Sequence, residues 1–455
     1  MTWSRIRHFH REPALISAWQ RTLGPALRWL TPTRRRLLLA AAALVLAVTR
    51  PLGELGKIRR LTGSAPEPTD QVLVVALLFA FVWLCYLAAR RYGSLPAPVR
   101  RHPQLCLHAV LWVLVGVLWI APPAEHPLLT PLAGCALVLS VLLWRLGYMM
   151  MTAQRGRMLG THFPSHLLYI HPLWYGGATP YGKGYDYLSA NEAKDEQALA
   201  RSQLAGVKLL LLAALWIVAK GALDGLAFGE MNGYRRALGG LSLALPRMGG
   251  MLVHPDAHSI GLRWLALYLE LFRSVLDRAA YGHLAIAYLR LFGFHVFRNT
   301  YKPLLAESLL EFWGRYYYYF KELLVNFFFY PTFARYFKRQ PRVRIIAAVF
   351  MAAGIGNLYY HCIKMNVAIV GGDFERVWAT MQSRAFYCLL LAIGISVSML
   401  REQRRTRAAR VRGPGKRLLA IFGVWTFFSI INIWSHGVHP FAGRVKFLLG
   451  LFGLT

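Results

Sequence analysis

Long apolar runs separated by arginine-rich loops constrain this chain more than any other feature. They occupy Leu37–Val48, Val72–Ala89, Leu105–Ala121, Leu128–Leu143, Leu204–Ala219, Phe386–Leu400 and Leu418–Ile433. A further apolar stretch, Ile345 to Gly371, surrounds "GIGNLYYHCIKMN" at residues 354–366. A helix needs about 20 residues to cross the hydrocarbon. Several of the runs are shorter, so they must extend or tilt. With 56% hydrophobic and only 16% charged residues over 455 positions, the expectation is an all-α polytopic membrane protein. Roughly ten membrane segments are expected, some short or tilted.

Charge orients the runs. Lys plus Arg number 53 against 20 Asp plus Glu, a formal charge of +33. Such an excess suits loops that face anionic lipid. Nucleic-acid binding would need a soluble basic domain, and no such segment is present. Arg90, Arg91, Arg100 and Arg101 lie between the second and third runs, and Arg145, Arg155 and Arg157 follow the fourth. The turn "APPAEHPLLTP" between the third and fourth has no Lys or Arg. That asymmetry puts the N-terminus and the arginine-rich loops in the cytoplasm, although Arg50, Lys57, Arg59 and Arg60 fall on the opposite side. "REQRRTRAARVRGPGKR", residues 401–417, holds eight basic residues against Glu402 and is also expected to be cytoplasmic.

The N-terminal 36 residues read as a basic cytoplasmic arm with no cleavable signal, carrying Arg5, Arg7, Arg11, Arg21, Arg28, Arg34, Arg35 and Arg36. Membrane segments follow over residues 37–150, then a core over 151–440 and a tail over 441–455. Residues 231–260 read as a loop. Residues 261–340 are amphipathic and aromatic, closer to membrane-plane or half-crossing helices than to clean spans. No internal repeat is visible, which argues against repeat-built transporters.

Several motifs fall short of a chemistry. Gly177–Gly184, "GATPYGKG", nearly spells a P-loop, but Gly184 stands where Ser or Thr should hold magnesium. His162, His166 and His171, His254 with His258, and His436 with His439 have no carboxylate to complete a metal set, and Pro164 and Pro255 break the helical spacing. No metal site is expected. Cys85, Cys106, Cys135, Cys362 and Cys388 form no CxxC pair and read as small buried apolar residues. His361 is different, being ionisable within an apolar run, and intramembrane ionisable residues mark function by default. A histidine hydrogen-bonded to a neighbouring helix would read the same way.

The segment Ser274–Pro331 carries a family resemblance. Asp277 in an aromatic setting precedes Tyr281 and Arg290-Leu291-Phe292-Gly293-Phe294. Asn299, Pro303, Ser308 and Glu311-Phe312-Trp313 then follow, with "VNFFFYP" at 325–331. In order and spacing these resemble the membrane-bound O-acyltransferase (MBOAT) family, in particular its bacterial branch that includes alginate O-acetyltransferases. Phe163-Pro164, the helix at 205–228 with Lys220 and Asp224, and "VWTFFSIINIW" at 424–434 extend the resemblance over roughly residues 160–435. His361, in "LYYHC", falls where the family has the histidine of its "GLWHG"-like motif. The family's two basic residues, Trp and His or Asn after "FW" are here Gly314, Arg315, Tyr316 and Tyr317.

The resemblance implies a helical bundle with tilted and re-entrant helices around a central funnel. Its activity would be O-acyl transfer from a cytoplasmic thioester, acyl-coenzyme A or an acyl carrier protein, to a hydroxyl of an extracytoplasmic glycan or similar acceptor. The acyl group expected from that branch is acetyl, with no tightly bound cofactor. A periplasmic acyltransfer partner protein and a bacterial inner-membrane location are also implied. Acyl transfer needs a base for the alcohol proton and donors for the oxyanion. His361 suits the base. Tyr317 either donates to the thioester carbonyl or is one more packing aromatic. Asn357, one turn before His361, is placed to hold its other ring nitrogen. Tyr281 and Trp313 are expected at the substrate. Arg315 and Lys321 meet either donor phosphates or lipid phosphates. Asp277 either pairs with Arg273 or Arg278, or orders the tunnel. Two further readings remain: a family-fold protein without acyl transfer, serving as membrane partner or conduit, and an unrelated transporter.

Overall fold

The computed structural model describes residues 8–49, 55–63, 65, 67–158, 160–170, 179–230, 232–233, 236, 239–404, 413–435 and 439–454. Outside them lie Arg5, Arg7, Arg50, His171, Gly177, Ala178, His436 and positions 405–412 of the basic loop. The described residues form helices and turns, with one isolated antiparallel bridge, Glu192 to Phe294, and no strand.

Among the described residues seven helices are long and apolar enough to cross a membrane. They are Pro68–Arg90, Pro103–Ile120, Pro127–Gln154, Glu196–Leu226, Pro341–Ile363, Phe374–Arg404 and Pro414–Asn432. Val72 and Leu84 on the first of these face outward, as do Leu105, Val113, Leu211, Leu215 and Leu418 elsewhere, all more than half exposed. Apolar side chains turned outward in this way suit a lipid surrounding. The chain is therefore a multi-pass membrane protein. Seven is the count of long apolar helices alone, whereas the roughly ten segments expected include short or tilted ones; two further helices fall outside the seven because of their charge. The run Leu37–Val48 lies on a helix, Pro32–Thr49, that opens with three arginines. The helix Ile260–Leu291 has the length to cross but carries Arg263, Glu270, Arg273, Asp277 and Arg278.

The chain divides into two compact units. The first comprises Met1–Leu210, Leu284–Phe297 and Ile363–Phe374; the second comprises Leu211–His283, Arg298–Cys362 and Glu375–Thr455. In the first unit, α1 is Pro13–Trp29, α2 Pro32–Thr49, α3 Pro68–Arg90, α4 Pro103–Ile120 and α5 Thr130–Gln154. Proline occupies the first turn of α1, α3, α4 and α5, where its missing N–H has no intrahelical partner to lose. Helix α5 is buried along nearly its whole length because α3 and α4 both pack against it.

The basic arm is more than a tether. Amphipathic α1 buries Ile16 and Leu27 against Leu199, Ala200 and Leu204, and these belong to the start of α6 (Glu196–Leu226). Arg35 is 2% exposed and donates to the Ala193 carbonyl at 2.5 Å. Arg36 forks onto the Glu192 carboxylate. The tie consumes charge that the sequence reading assigns to lipid. In the same unit Asn366 donates to the Leu137 carbonyl and to Ser140 Oγ, and Trp119 Nε1 donates to the Ile369 carbonyl. A narrow apolar cavity lies here, lined in part by Leu111, Trp112, Val115 and Ile363, and it contains none of the expected site residues.

The second unit is organised by α7 (Ile260–Leu291), with α8 (Leu309–Tyr316), α9 (Tyr318–Leu324), α10 (Pro341–Val349), α11 (Asn357–Ile363), α12 (Phe374–Arg404), α13 (Pro414–Asn432) and α14 (Phe441–Gly450). Residues 231–260, expected to be a loop, contain a short helix at Met248–Val253. Met248, Met251 and Leu252 there pack with Ala266, Leu267, Ile433, Trp434 and Phe447 in one apolar cluster. Three charged positions on α7, Glu270, Arg273 and Asp277, are ion-paired. Asp224, 4% exposed, receives Arg273 Nε at 2.5 Å and Lys220 at 3.2 Å. Arg247 bridges Glu270 and Glu230.

Candidate active site

The local fold begins with a helix cap. Ser308 Oγ accepts from the Glu311 amide at 3.2 Å, and the Glu311 carboxylate reaches back to the Glu307 amide at 2.7 Å. This Ser-x-x-Glu arrangement satisfies orphan amides and fixes where α8 starts. Eight residues later the helix breaks at Tyr317, whose φ of −142° is extended. The break is stitched by residues 299–301. Tyr318 N donates to the Asn299 carbonyl at 2.9 Å, Tyr301 N to the Arg315 carbonyl at 2.8 Å, and Thr300 Oγ1 to the Tyr316 carbonyl at 3.0 Å. Gly282 on α7 permits this stitch, because a Cβ there would lie 2.7 Å from Asn299 Nδ2.

Two π-helical segments come next. Val325–Phe329 follows α9 directly, and Phe350–Gly356 joins α10 to α11. The two pack against each other. A Cβ on Gly356 would lie 2.6 Å from the Phe328 ring, so only glycine allows this approach without movement. Single-turn π-bulges concentrate at functional sites because the extra residue rotates the side chains that follow. Here the residue that follows is Asn357, and His361 comes one turn later.

Asn357 is fully buried, and neither its Oδ1 nor its Nδ2 has a hydrogen-bond partner within the protein, so it does not hold the His361 ring nitrogen as its one-turn spacing suggests. His361 is half-buried, with its ring edge-on to Tyr387 at 6.3 Å and to Tyr360 at 6.0 Å. Tyr360 meets Phe320 at 4.5 Å, and Phe320 meets Tyr317 at 5.4 Å and Trp313 at 5.9 Å. One run of rings thus joins Trp313, Tyr317 and His361. The Arg278 guanidinium lies 4.6 Å from the centre of the Tyr317 ring and bonds to the Tyr316 hydroxyl. Arg278, Arg384 and Tyr316 are all within electrostatic reach of Tyr387.

The expected residues thus separate into two sets. Tyr317 and Trp313 are linked to His361 through the rings of Phe320 and Tyr360, and Asn357 stands one turn before His361. The others are engaged elsewhere. Arg315 pairs with Glu311, and Lys321 with its neighbour Glu322. Tyr281 is 56% exposed. Asp277 meets Lys220 at 3.7 Å in place of Arg273, because Arg273 is taken by Asp224.

Tyr387 and Arg384 were not anticipated from the sequence, and Tyr316 and Arg278 figured there only as a motif position and as a pairing partner for Asp277. Arg384 and Tyr387 sit just before and within the start of an apolar run. With Thr380 and Ser383 they repeat at three- and four-residue intervals, a polar stripe on one helical face that the run conceals. Thr380 Oγ1 and the buried Ser383 Oγ also have no hydrogen-bond partner within the protein. Among the described residues no group of three or more His, Cys, Asp or Glu side chains is placed to hold a metal. No family model and no curated protein matches the chain.

Proposed function

We propose that the second unit is a membrane-embedded O-acyltransferase centre, with His361 as its general base. The observation that carries the reading is the convergence of a half-buried histidine, a fully buried amide without a protein partner, and a Tyr317–Arg278 pair on neighbouring elements. Burying an amide without a hydrogen bond costs about 1–3 kcal/mol, and a catalytic role is one of the explanations such a group calls for.

In the reaction, a hydroxyl of the acceptor gives its proton to the neutral imidazole while its oxygen attacks the thioester carbonyl. The C–O bond forms as the carbonyl becomes a tetrahedral oxyanion, which Arg278 and the phenols beside it stabilise. Collapse breaks the C–S bond, and the proton on His361 passes to the departing thiolate. The Asn357 amide, which makes no bond to the imidazole, offers its donor and acceptor to the bound substrate, and Trp313 bounds the acyl group. The donor is a cytoplasmic thioester of coenzyme A or of a carrier protein. The acceptor is an extracytoplasmic glycan or a similar hydroxyl compound, with acetyl the transferred group. The MBOAT resemblance of residues 160–435 supports this assignment, as well as a bacterial inner membrane with the N-terminus in the cytoplasm and a periplasmic partner protein.

The test is His361→Ala in the full chain, with thioester consumption and acylated acceptor measured together. The expected result is loss of both at unchanged protein level and unchanged thermal midpoint. Wild-type turnover in the Ala variant would refute the reading.

A further inference from the structure

Basic side chains from three separated parts of the first unit converge where α6 begins and α7 ends. Ser202 Oγ donates to the Arg290 carbonyl at 2.8 Å, and Gln203 Nε2 to the Leu291 carbonyl at 3.3 Å. These bonds set Arg201 and Lys208, seven residues apart and so on one face of α6, beside Arg290. The Arg290 guanidinium holds the next loop through two bonds to the Val296 carbonyl, at 3.1 and 2.8 Å, and His295 lies on that loop. From the N-terminal turn Phe9–Arg11 come His10 and Arg11. His10 is 8% exposed, and its Nδ1 lies 3.4 Å from Lys208 Nζ.

The charged groups around the two imidazoles are all basic. The charged groups within electrostatic reach of His10 are Lys208, Arg11, Arg290 and His8, and those around His295 are Arg290, Arg11 and Arg201. Carboxylates on the same elements are committed elsewhere. Glu192 is bound by Arg36, and Asp195 caps the Ala198 amide at 2.7 Å. Glu12 and Glu196 enter the surroundings of neither imidazole. An ammonium can only donate, so His10 Nδ1 accepts from Lys208, leaving the Nε2 proton as a donor. Burial, with Lys208, Arg11 and Arg290 adding to it, holds the His10 imidazole down to about 3.

Repulsion among fixed cations is relieved by an anion with several acceptor oxygens, which guanidinium and ammonium donors fit directly. We propose that Arg11, Arg201, Lys208 and Arg290, with His10 and His295, form a binding site for a phosphate group. The site lies where the polar start of α6 gives way to its apolar run and where amphipathic α1 is docked, which is the level of a headgroup layer. The phosphate is that of an anionic phospholipid or of a soluble phosphate ester. The inference does not depend on acyl transfer at His361.

The experiment uses the purified full chain in nanodiscs. In one arm, nanodiscs of phosphatidylcholine alone are titrated with inorganic pyrophosphate by calorimetry. In the other, native mass spectrometry counts phosphatidylglycerol retained from mixed nanodiscs. Three variants are compared with wild type: Arg201→Gln with Lys208→Gln, the charge-conserving Lys208→Arg, and Arg100→Gln with Arg101→Gln as a control elsewhere. One bound equivalent is expected in one or both arms. The double Gln variant at 201 and 208 should weaken it at least tenfold, with Lys208→Arg and the control near wild type. Binding in the first arm identifies a soluble ester and binding in the second a lipid. No binding in either arm, or equal loss in the control, would overturn the site.

Discussion

Asn357→Leu separates a structural role for this residue from a functional one. Asn and Leu branch at the same carbon, so the exchange replaces two polar atoms by two methyl groups at the same branch points. In the native protein both atoms are buried without a protein partner. An unsatisfied buried amide costs about 1–3 kcal/mol, and that penalty disappears in the Leu variant. The variant should therefore be the more stable, by about 1–3 kcal/mol. For a chain of this length that corresponds to a midpoint rise of roughly 2 °C per kcal/mol or less. Turnover should move the other way. Asn357 makes no bond to the His361 imidazole, so the role tested is a hydrogen bond to the bound substrate; loss of one donor at a developing oxyanion costs about 10²–10³-fold, and a fall of ~10²-fold in thioester turnover is expected. The assay is a thermal melt in detergent, run beside a thioester consumption assay on the same preparation. A lower midpoint would show that the amide is satisfied and structural. A stabilised variant with full turnover would show that it serves no catalytic purpose. Either result refutes the reasoning.

Other consequences can be measured on the same protein. Gly356→Ala forces a methyl against the Phe328 ring, so overpacking should cost about 1–3 kcal/mol and reduce turnover by shifting His361; a silent variant would show that the two π segments are loosely packed. Asp224→Asn leaves Arg273 without its buried carboxylate and should destabilise by about 3 kcal/mol or more, read as a lowered unfolding midpoint. The His10 imidazole, held down to about 3, stays neutral in the fold while the unfolded chain takes up a proton near 6.5. Its contribution to stability is therefore complete above about pH 6.5 and is lost as pH falls from there toward about 3. The His10→Gln variant should show a shallower fall in midpoint over that range than wild type; parallel curves would refute this.

What the sequence made legible follows from the range of the physics involved. Crossing hydrocarbon demands contiguous apolar residues, so the spans at 68–90, 103–120 and 414–432 could be read from short windows. Helix α7 could not be assigned by the same rule, because several of its charges are neutralised by residues far along the chain. Asp277 meets Lys220, and Arg273 meets Asp224. His361 was legible because an ionisable ring in an apolar run is costly wherever its partners lie. Tyr387 and Arg384 were not, because one polar stripe on a mostly apolar helix leaves the average hydropathy high. The π segments have no sequence signature beyond Gly354 and Gly356, and without them the direction of Asn357 could not be inferred.

The two units handle buried polar groups differently, and the contrast bears on where chemistry belongs. In the first unit, Arg35 donates to the Ala193 and Leu30 carbonyls, although its Nε has no partner. Tyr86 donates to the Thr161 carbonyl, and His166 meets Thr161 Oγ1 at 2.9 Å. Asn366 is bonded on both sides of its amide. Such polar groups act as joints, and a joint is stable when its valences are filled. In the second unit Asn357, Ser383, Ser429 and Trp434 are buried with side-chain polar atoms that have no partner within the protein. Ser383 lies one turn from Tyr387, whose ring meets His361; Trp434 packs on Phe386, the residue beside Tyr387. Polar capacity left open around a half-buried imidazole is poor scaffolding and a suitable lining for a polar substrate. That asymmetry supports the proposed siting of acyl transfer in the second unit and of charge anchoring in the first.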